Sequence, residues 1–345
     1  METCDKCGHT KKVFHSCRNR HCPQCQFMKK EAWITKKKEE IFPYQYFHVV
    51  FTLPSELDAI VLRNKKTMYN LLFSSAKQAL LSMAGESKYL GADIGFFSIL
   101  HTWGQKLNLH PHLHCVVPGG GYSKEKRKWI KCSKNYLIPV EPLKQRFRSI
   151  FLKELKILYK NDELFLGGCL YADRIKFQKL IDQLFSKNWV VYLKESFNNS
   201  STVIEYLARY THRIAISNYR IINVDNDNVS FLYKDYKEGN KKKLYIMNVM
   251  DFISSFMLHI VPSRFVRIRY YGLMSNRNKK SNLQLCREYY DVKIKPMIPN
   301  DTWDKILLDV TGIDIHKCPN CNEGQLVLTN FIPSIRYRPP PTKTA

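Results

Sequence analysis

Three histidines alternate with other residues in the segment His110-Pro-His-Leu-His114, and this pattern constrains the fold more than any other in the chain. Side chains at i and i+2 of an extended strand point to the same face. His110, His112 and His114 therefore present three imidazoles from one face, while Pro111 and Leu113 point to the other. Since imidazole is a common metal ligand, the segment predicts a strand that carries a metal site.

The third ligand of this site is open at the level of sequence. His112 and His114 form the tightest pair, and the odd-numbered face of the preceding predicted strand carries His101 and Gln105. Across a hairpin, we expect the amide oxygen of Gln105 to reach the same metal, with His110 as the alternative. The simpler alternative is that these histidines are ordinary surface or core residues with no metal-binding role.

Two tyrosines, Tyr206 and Tyr210, are spaced by one turn of a predicted helix that begins near Asn198. A tyrosine hydroxyl is a covalent nucleophile of the same logic as serine or cysteine. A divalent cation at the histidines would act as a Lewis acid on a phosphodiester. The pair therefore predicts successive covalent links to DNA, whereas the simpler alternative is a helix face that packs two rings.

The N-terminal segment is rich in cysteine and predicts a structural zinc module. Its two C-x-x-C pairs are separated by 14 residues and are predicted to supply four thiolates: Cys4, Cys7, Cys22 and Cys25. Cys17 and His21 are not needed once four thiolates bind the zinc ion, and we expect them to be alternative ligands or part of a second site. A redox pair is the lesser alternative. A further pair, Cys318 and Cys321, supplies only half a zinc site, and its role is open.

The charge balance favours a polyanionic partner. The chain has 55 Lys+Arg against 30 Asp+Glu, a net charge of +25, and its 20 tyrosines and 19 phenylalanines favour single strands whose bases stack on rings. No apolar run is long enough to span a bilayer, so no membrane partner is expected. Clustered cysteines then indicate metal binding in a reducing cytoplasm.

The order of predicted elements indicates an α+β fold, with a central antiparallel sheet and helices on one face. We expect a zinc-binding module at 1–30, a nuclease domain at 31–225 and a basic C-terminal region with a disordered tail at 226–345. The predicted helices are 55–85, 142–159 and 174–187, and the predicted strands are 44–54, 96–105, 112–118, 189–193, 214–222 and 229–233. The sequence has no glycine-rich phosphate loop after a predicted strand, which argues against a built-in ATPase or helicase activity.

Several longer motifs stand in the order of a known family. They are Ser16-Cys-Arg-Asn-Arg-His-Cys-Pro-Gln-Cys25, Phe51-Thr-Leu-Pro54, His101-Thr-Trp-Gly-Gln105, the run from His110 to Gly121, and Tyr206-Leu-Ala-Arg-Tyr-Thr-His-Arg-Ile-Ala-Ile-Ser217. Together they resemble the two-tyrosine HUH transposases of the rolling-circle insertion sequences, in which two histidines flank a bulky apolar residue. The resemblance runs from about residue 4 to about residue 280.

The resemblance implies an HUH nuclease fold, Mg²⁺ or Mn²⁺ at His112 and His114, and 5′-phosphotyrosine links at Tyr206 and Tyr210. It also implies transposition through single-stranded or hairpin DNA ends, with self-association and host replication proteins as further partners, in a bacterial cytoplasm at the nucleoid. Because imidazoles suit Mn²⁺ better than Mg²⁺, we expect Mn²⁺ to support activity at least as well.

Two rival functions remain at this stage. One is a plasmid replication initiator or relaxase with the same metal and tyrosine chemistry, and the other is a catalytically dead, zinc-dependent DNA-binding protein. Transposases of this type usually have more chain ahead of the zinc region, whereas this sequence begins three residues before Cys4. The resemblance therefore leads us to expect that Cys17 and His21 lack partners from such a segment and that the copy is truncated.

Overall fold

The computed structural model describes residues 1–13, 19, 21–22, 45–132, 137–197, 215–277, 279–290, 304–305, 308 and 312–330. The chain divides into two compact units, one of Met1–Arg20 with Pro296–Ala345 and one of His21–Lys295. This division differs from the predicted one at 1–30, 31–225 and 226–345, because the two ends of the chain cluster together. Among the described residues, no helix combines the length and apolar content needed to cross a bilayer.

The described residues form thirteen β-strands and six α-helices. The strands, numbered in chain order, are β1 (Glu2–Cys4), β2 (Thr10–Lys11), β3 (Tyr46–Thr52), β4 (Gly95–Trp103), β5 (Leu109–Pro118), β6 (Gly120–Ser123), β7 (Lys128–Lys131), β8 (Val191–Phe197), β9 (Ile221–Val224), β10 (Asn228–Asp235), β11 (Lys241–Asn248), β12 (Ile268–Gly272) and β13 (Leu326–Leu328). The α-helices are α1 (Asp58–Arg63), α2 (Lys65–Gly85), α3 (Val140–Lys160), α4 (Arg174–Ser186), α5 (Val249–Leu258) and α6 (Lys279–Tyr290).

Five strands of the larger unit form its central sheet in the order β12-β4-β5-β3-β8, and each neighbouring pair is antiparallel. Aromatic and β-branched residues favour this extended state because they pack well on a pleated surface. In β3, Phe47, Val49 and Phe51 are fully buried on one face. The structure therefore confirms the predicted α+β class with a central antiparallel sheet.

Helices α2, α3 and α4 contribute to the hydrophobic core on this face of the sheet. In α3, Leu143, Phe147 and Phe151 recur every four residues and are buried, which forms the apolar stripe of an amphipathic helix. Helix α4 is capped at its N-terminus by Asp173, whose side chain accepts a hydrogen bond from the Lys176 N–H at 2.8 Å. This helical layer gives the sheet a rigid backing.

The opposite face of the sheet carries four histidines: His48, His101, His112 and His114. On the same face, Phe97 and Val116 pack with Trp129 of β7 and Cys286 of α6. Val116 is the register partner of both Phe97 and His48. The expected layer of helices on one face is thus accompanied by a smaller cluster on the opposite face, and the histidines lie beside that cluster rather than within the main core.

A second antiparallel sheet, in the order β11-β10-β9, belongs to the same unit. Its inner face buries Val229 and Phe231 together with Leu107, from the turn between β4 and β5, and with Ala215. Phe252 of α5 packs against this cluster. The turn at 104–108 is therefore anchored in the second sheet and not in the central one.

The predicted helices at 142–159 and 174–187 correspond to α3 and α4. The predicted helix at 55–85 is interrupted at Asn64, whose amide nitrogen donates to the Phe165 carbonyl at 3.0 Å and whose amide oxygen accepts from the Phe165 N–H at 2.7 Å. These bonds to a distant loop are invisible to periodicity. The strand predicted at 96–105 ends at Trp103, which leaves Gln105 in the following turn.

The smaller unit contains a three-stranded antiparallel sheet in the order β13-β1-β2. Strand β1 pairs on one side with β2 and on the other with β13, with Cys4 opposite Leu326. The N-terminal ammonium of Met1 donates to the Asn330 carbonyl at 2.6 Å, which continues the pairing beyond the strands. Both ends of the chain therefore build one small sheet.

Candidate metal centre

Three histidines of the central sheet converge at one point. The ring nitrogens of His101, His112 and His114 lie within 4.8 Å of one another, one nitrogen being counted from each ring. His101 of β4 and His112 of β5 are direct cross-strand partners, and His114 follows His112 on the same face of β5. The strand register alone therefore brings the three imidazoles together.

A backbone contact orients the ring of His112. Its Nδ1 lies 2.6 Å from the carbonyl oxygen of His110, and because a carbonyl only accepts, Nδ1 carries the proton and donates. The Nε2 atom then holds the lone pair available to a cation. The side chain of His110 is exposed, and its ring centroid lies 5.0 Å from that of His112.

His48 of β3 is a fourth histidine at this site, and it lies outside the sequence motif that predicted the other ligands. Its Nε2 lies 2.7 Å from Nδ1 of His114, and the two rings meet edge to edge in nearly the same plane, with centroids 4.9 Å apart and planes 6° apart. Both rings are buried, at 3% and 7% exposure. The available signal was parity, since His48 shares the face of β3 that adjoins His114.

Burial keeps these imidazoles neutral. It lowers the pKa of His112 to about 3 and that of His48 to about 4, and it lowers the pKa of His114 well below 6.5, with the neighbouring rings of His101 and His112 adding to the effect on His114. A neutral imidazole has the lone pair that a metal ion requires. The residues present therefore fit a divalent cation held by nitrogen ligands.

Gln105, the predicted third ligand, is engaged elsewhere. Its Nε2 donates to the Tyr236 hydroxyl at 2.9 Å, and its Oε1 accepts from the Lys234 N–H at 3.3 Å. The guanidinium of Arg220 donates to the Gln105 carbonyl at 2.6 Å. Strand β4 ends before Gln105, so the residue joins the second sheet, and the structure brings His101 to His112 and His114 in its place.

Tyr206 and Tyr210 lie outside the described residues, as do Cys17 and Cys25. The segment that carries the two tyrosines is bounded by described residues on both sides. Strand β8 precedes it, with Phe197 paired to Tyr46, and Ala215 follows it in the core of the second sheet.

A second potential metal site lies in the smaller unit. Its four sulfur atoms lie within 4.8 Å of one another and belong to Cys4, Cys7, Cys318 and Cys321. The sequence prediction grouped Cys4 and Cys7 with Cys22 and Cys25 instead. Cys22 belongs to the larger unit and is outside this group among the described residues.

Backbone N–H groups beside this cluster favour the thiolate form of one member, Cys321. Backbone N–H groups of Gly324 and Glu323 lower the pKa of the Cys321 thiol to about 6. Four clustered cysteines are the donor set of a closed structural zinc site. The cluster therefore supports structural zinc.

Comparison with known families identifies relatives for both parts of the chain. A family model described as "Putative transposase" matches residues 95–282, and one described as "Transposase zinc-binding domain" matches residues 1–53. The protein "Putative transposase y4qJ" of Sinorhizobium fredii is 39% identical over 345 aligned positions, which cover 98% of this chain and 86% of the relative. No solved structure shows a significant match.

A second relative is the "Transposase for insertion sequence element IS801" of Pseudomonas savastanoi pv. phaseolicola. It is 27% identical over 285 aligned positions, which cover 79% of this chain and 64% of the relative. The first family model spans the strands that carry His101, His112 and His114, as well as the second sheet.

Proposed function

We propose that this chain, which belongs to the IS91-type family of rolling-circle transposases, cuts and rejoins one strand of DNA. The reaction proceeds through tyrosine-linked intermediates at the site formed by His101, His112 and His114. DNA transposition is the activity of this family. The proposal concerns its chemistry and the residues responsible. The observation that carries it is the convergence of His101, His112 and His114 on one face of the central sheet.

In the proposed site, His101, His112 and His114 hold a divalent cation, with His101 in the position expected for Gln105. A cation held by these residues would supply Lewis-acid chemistry to a non-bridging oxygen of the scissile phosphate. Three imidazoles suit Mn²⁺ better than Mg²⁺, so Mn²⁺ is the favoured ion. The carbonyl of His110 and the ring of His48 hold His112 and His114 in register.

The proposed nucleophiles are the hydroxyl oxygens of Tyr206 and Tyr210. The phenolic oxygen bonds to phosphorus, the bond from phosphorus to the 3′ oxygen breaks, and the phenolic proton is transferred so that the leaving strand ends in a 3′-OH. The resulting 5′-phosphotyrosine retains the energy of the phosphodiester. A 3′-OH therefore reverses the step and joins a new strand, and two tyrosines permit two links in succession.

The described flank supports the placement of the tyrosines beside the histidines. Ala215 packs against Leu107, which belongs to the turn between the strands that carry His101 and His112. Tyr210 precedes Ala215 by five residues. Five residues span at most about 18 Å, so the chain length is compatible with a Tyr210 that reaches the end of the sheet where the histidine-bearing strands turn, which supports the proposal.

The outer face of the second sheet supports single-stranded DNA as the substrate. Leu244 and Ile246 are 52% and 59% exposed on β11, and Lys242 precedes them on the same face. Lys234 lies opposite Lys242 in the sheet register. Unpaired bases need apolar contact and phosphates need cations, and this surface offers both within a chain of net charge +25.

The test uses the full chain and a single-stranded oligonucleotide that carries one end of its element. The oligonucleotide is cut short beyond the nick, so that the cleaved fragment diffuses away and the covalent adduct persists. With Mn²⁺ we expect a protein–DNA adduct, and mass spectrometry of the linked peptide is expected to locate it at Tyr206 or Tyr210. Tyr206→Phe combined with Tyr210→Phe should abolish the adduct, whereas Tyr289→Phe, a half-exposed tyrosine in α6, should retain it.

The same assay separates the rival functions. His112→Ala and His114→Ala should abolish cleavage while leaving DNA binding within about threefold, because binding draws on the basic surface. Nicking at a plasmid origin but not at an element end would identify a replication initiator or relaxase. Tight DNA binding without any adduct in the unmutated protein would identify a DNA-binding protein and refute the proposal.

A further inference from the structure

The cysteine cluster of the smaller unit combines residues from opposite ends of the chain. Cys4 ends β1 and Cys7 lies in the turn that follows it, whereas Cys318 and Cys321 come from the segment before β13. The family model for the zinc-binding domain ends at residue 53 and so does not include the second pair. The role of Cys318 and Cys321 is therefore a separate question from that of the N-terminal domain.

The sulfur positions fit a tetrahedral ion. The Sγ atoms of Cys4 and Cys321 lie 3.7 Å apart, and those of Cys7 and Cys318 also lie 3.7 Å apart. Four thiolates at about 2.3 Å from a zinc ion are separated by about 3.8 Å in a tetrahedron. A disulfide requires about 2.05 Å between its sulfur atoms, so these distances describe a metal site and not two crosslinks.

The backbone around the sulfur atoms is arranged to stabilise negative charge on them. The N–H groups of Lys6 and Cys7 point to the Cys4 sulfur at 3.4 Å each, and the Gly324 N–H points to the Cys321 sulfur at 3.3 Å. A Cβ atom at Gly324 would collide with the Cys4 sulfur and with the Asp5 carboxylate. The two turns are therefore built around each other, with room only for a glycine where they meet.

Among its described residues, the smaller unit buries little apolar surface around this arrangement. Their buried cluster consists of Cys4, Cys318 and Leu326, with Cys321 packed against it. Small modules without an adequate core depend on metal binding for their folding free energy. We infer that Cys4, Cys7, Cys318 and Cys321 bind one structural zinc ion, and that this ion fastens the C-terminal segment to the N-terminal zinc-binding domain.

The inference goes beyond the proposed DNA chemistry, and its test requires no DNA. Zinc per chain is measured by plasma mass spectrometry in the purified full chain and in three variants: Cys318→Ser with Cys321→Ser, Cys4→Ser with Cys7→Ser, and all four together. We expect each double variant to lose one zinc ion per chain, and the quadruple variant to lose no more than either. Cys169→Ser, at a half-buried thiol outside the cluster, is the matched control and should retain all zinc.

A spectroscopic readout keeps the inference falsifiable if a variant folds poorly. Replacement of zinc by Co²⁺ in the unmutated chain should give the intense visible and near-ultraviolet bands of a four-thiolate site. Chelation should open residues 312–330 to protease while the core at 45–132 and 137–197 stays resistant. Unchanged zinc in Cys318→Ser with Cys321→Ser, accompanied by loss in Cys22→Ser with Cys25→Ser, would overturn the inference in favour of the N-terminal pairing. Iron in place of zinc would also overturn it.

Discussion

His48 provides the most demanding prediction, because it touches no substrate in the proposed reaction and acts only through His114. Replacement of His48 by Phe keeps a planar ring of similar size at this buried position but removes the partner of His114 Nδ1. The 2.7 Å hydrogen bond is lost, because a C–H edge of the phenyl ring then faces His114. The ring of His114 then loses the bond that orients its Nδ1.

The size of the effect follows from this geometry. A buried polar atom that loses its partner costs about 1–3 kcal/mol. Loss of an outer-sphere partner of a metal-bound histidine typically lowers metal affinity or activity by about 10–100-fold, which equals about 1.4–2.7 kcal/mol. The two ranges agree, so we expect Mn²⁺ affinity to fall by about 10–100-fold in His48→Phe. Isothermal titration calorimetry with Mn²⁺ in the absence of DNA measures this directly.

His259→Phe is the matched control for this variant. His259 is equally buried, at 2% exposure, and its ring bridges Thr102 and the Leu107 carbonyl at 3.3 and 2.9 Å. Both variants remove a buried histidine, and both should lower thermal stability. Only His48→Phe should weaken Mn²⁺ binding. Equal Mn²⁺ affinity in His48→Phe and in the unmutated chain, with folding intact, would refute the positioning role.

Three further predictions test the site and its supporting core. His101→Ala should lower Mn²⁺-dependent cleavage by more than about 100-fold, beyond the usual cost of an outer-sphere change, whereas Gln105→Ala should lower it by less than about tenfold; the reverse ranking in a cleavage assay would restore Gln105 as ligand. The metal-free protein should lose stability as the pH falls from about 7 to 4, because burial lowers the pKa of both His48 and His259 to about 4 in the folded state. Unfolded histidine titrates near 6.5, so the unfolded chain binds more protons in this range. Urea unfolding at pH 7 and pH 5 checks the direction of the change, and equal stability at the two pH values would contradict the prediction. Phe147→Ala should lower the free energy of unfolding by about 3–5 kcal/mol, since the ring is fully buried against Phe51 and Trp189. Phe165→Ala, at an exposed ring, should change it by less than about 0.5 kcal/mol in the same denaturant titration.

The sequence was sufficient for the parts of the fold that follow from local periodicity. Alternation around His112 and His114 predicted β5, and helical spacing predicted α3 and α4 almost to the residue. These patterns are decided by which side of an element faces the core, and a single chain segment carries that information.

The third member of the histidine cluster depends on information that is not local. Parity placed both His101 and Gln105 on one face of the predicted strand, but β4 ends at Trp103, and the register shifts between His101 and Trp103. Leu107 adopts a positive φ of 62° and is buried in the second sheet. The bonds from Arg220 and Lys234 that hold Gln105 come from more than 100 residues later in the chain, so spacing within the hairpin does not reveal them.

The cysteine pairing shows the same limit at longer range. C-x-x-C spacing predicts that each pair supplies half of a tetrahedral site, but it does not identify which halves combine. Proximity in sequence favoured Cys22 and Cys25 as partners of Cys4 and Cys7. The pairing of β1 with β13 instead brings Cys318 and Cys321 to them, and strand pairing between the two ends of a chain leaves no signal in local composition.

The central claim is that three histidines of the sheet bind the cation that serves DNA cleavage. A crystal of the full chain grown with Mn²⁺, with anomalous diffraction recorded at the manganese edge, tests it most directly. We expect one manganese peak bonded to ring nitrogens of His101, His112 and His114, with His48 on the far side of the His114 ring. A peak bonded to Gln105 or His110 in place of His101, or no peak among these rings, would contradict it.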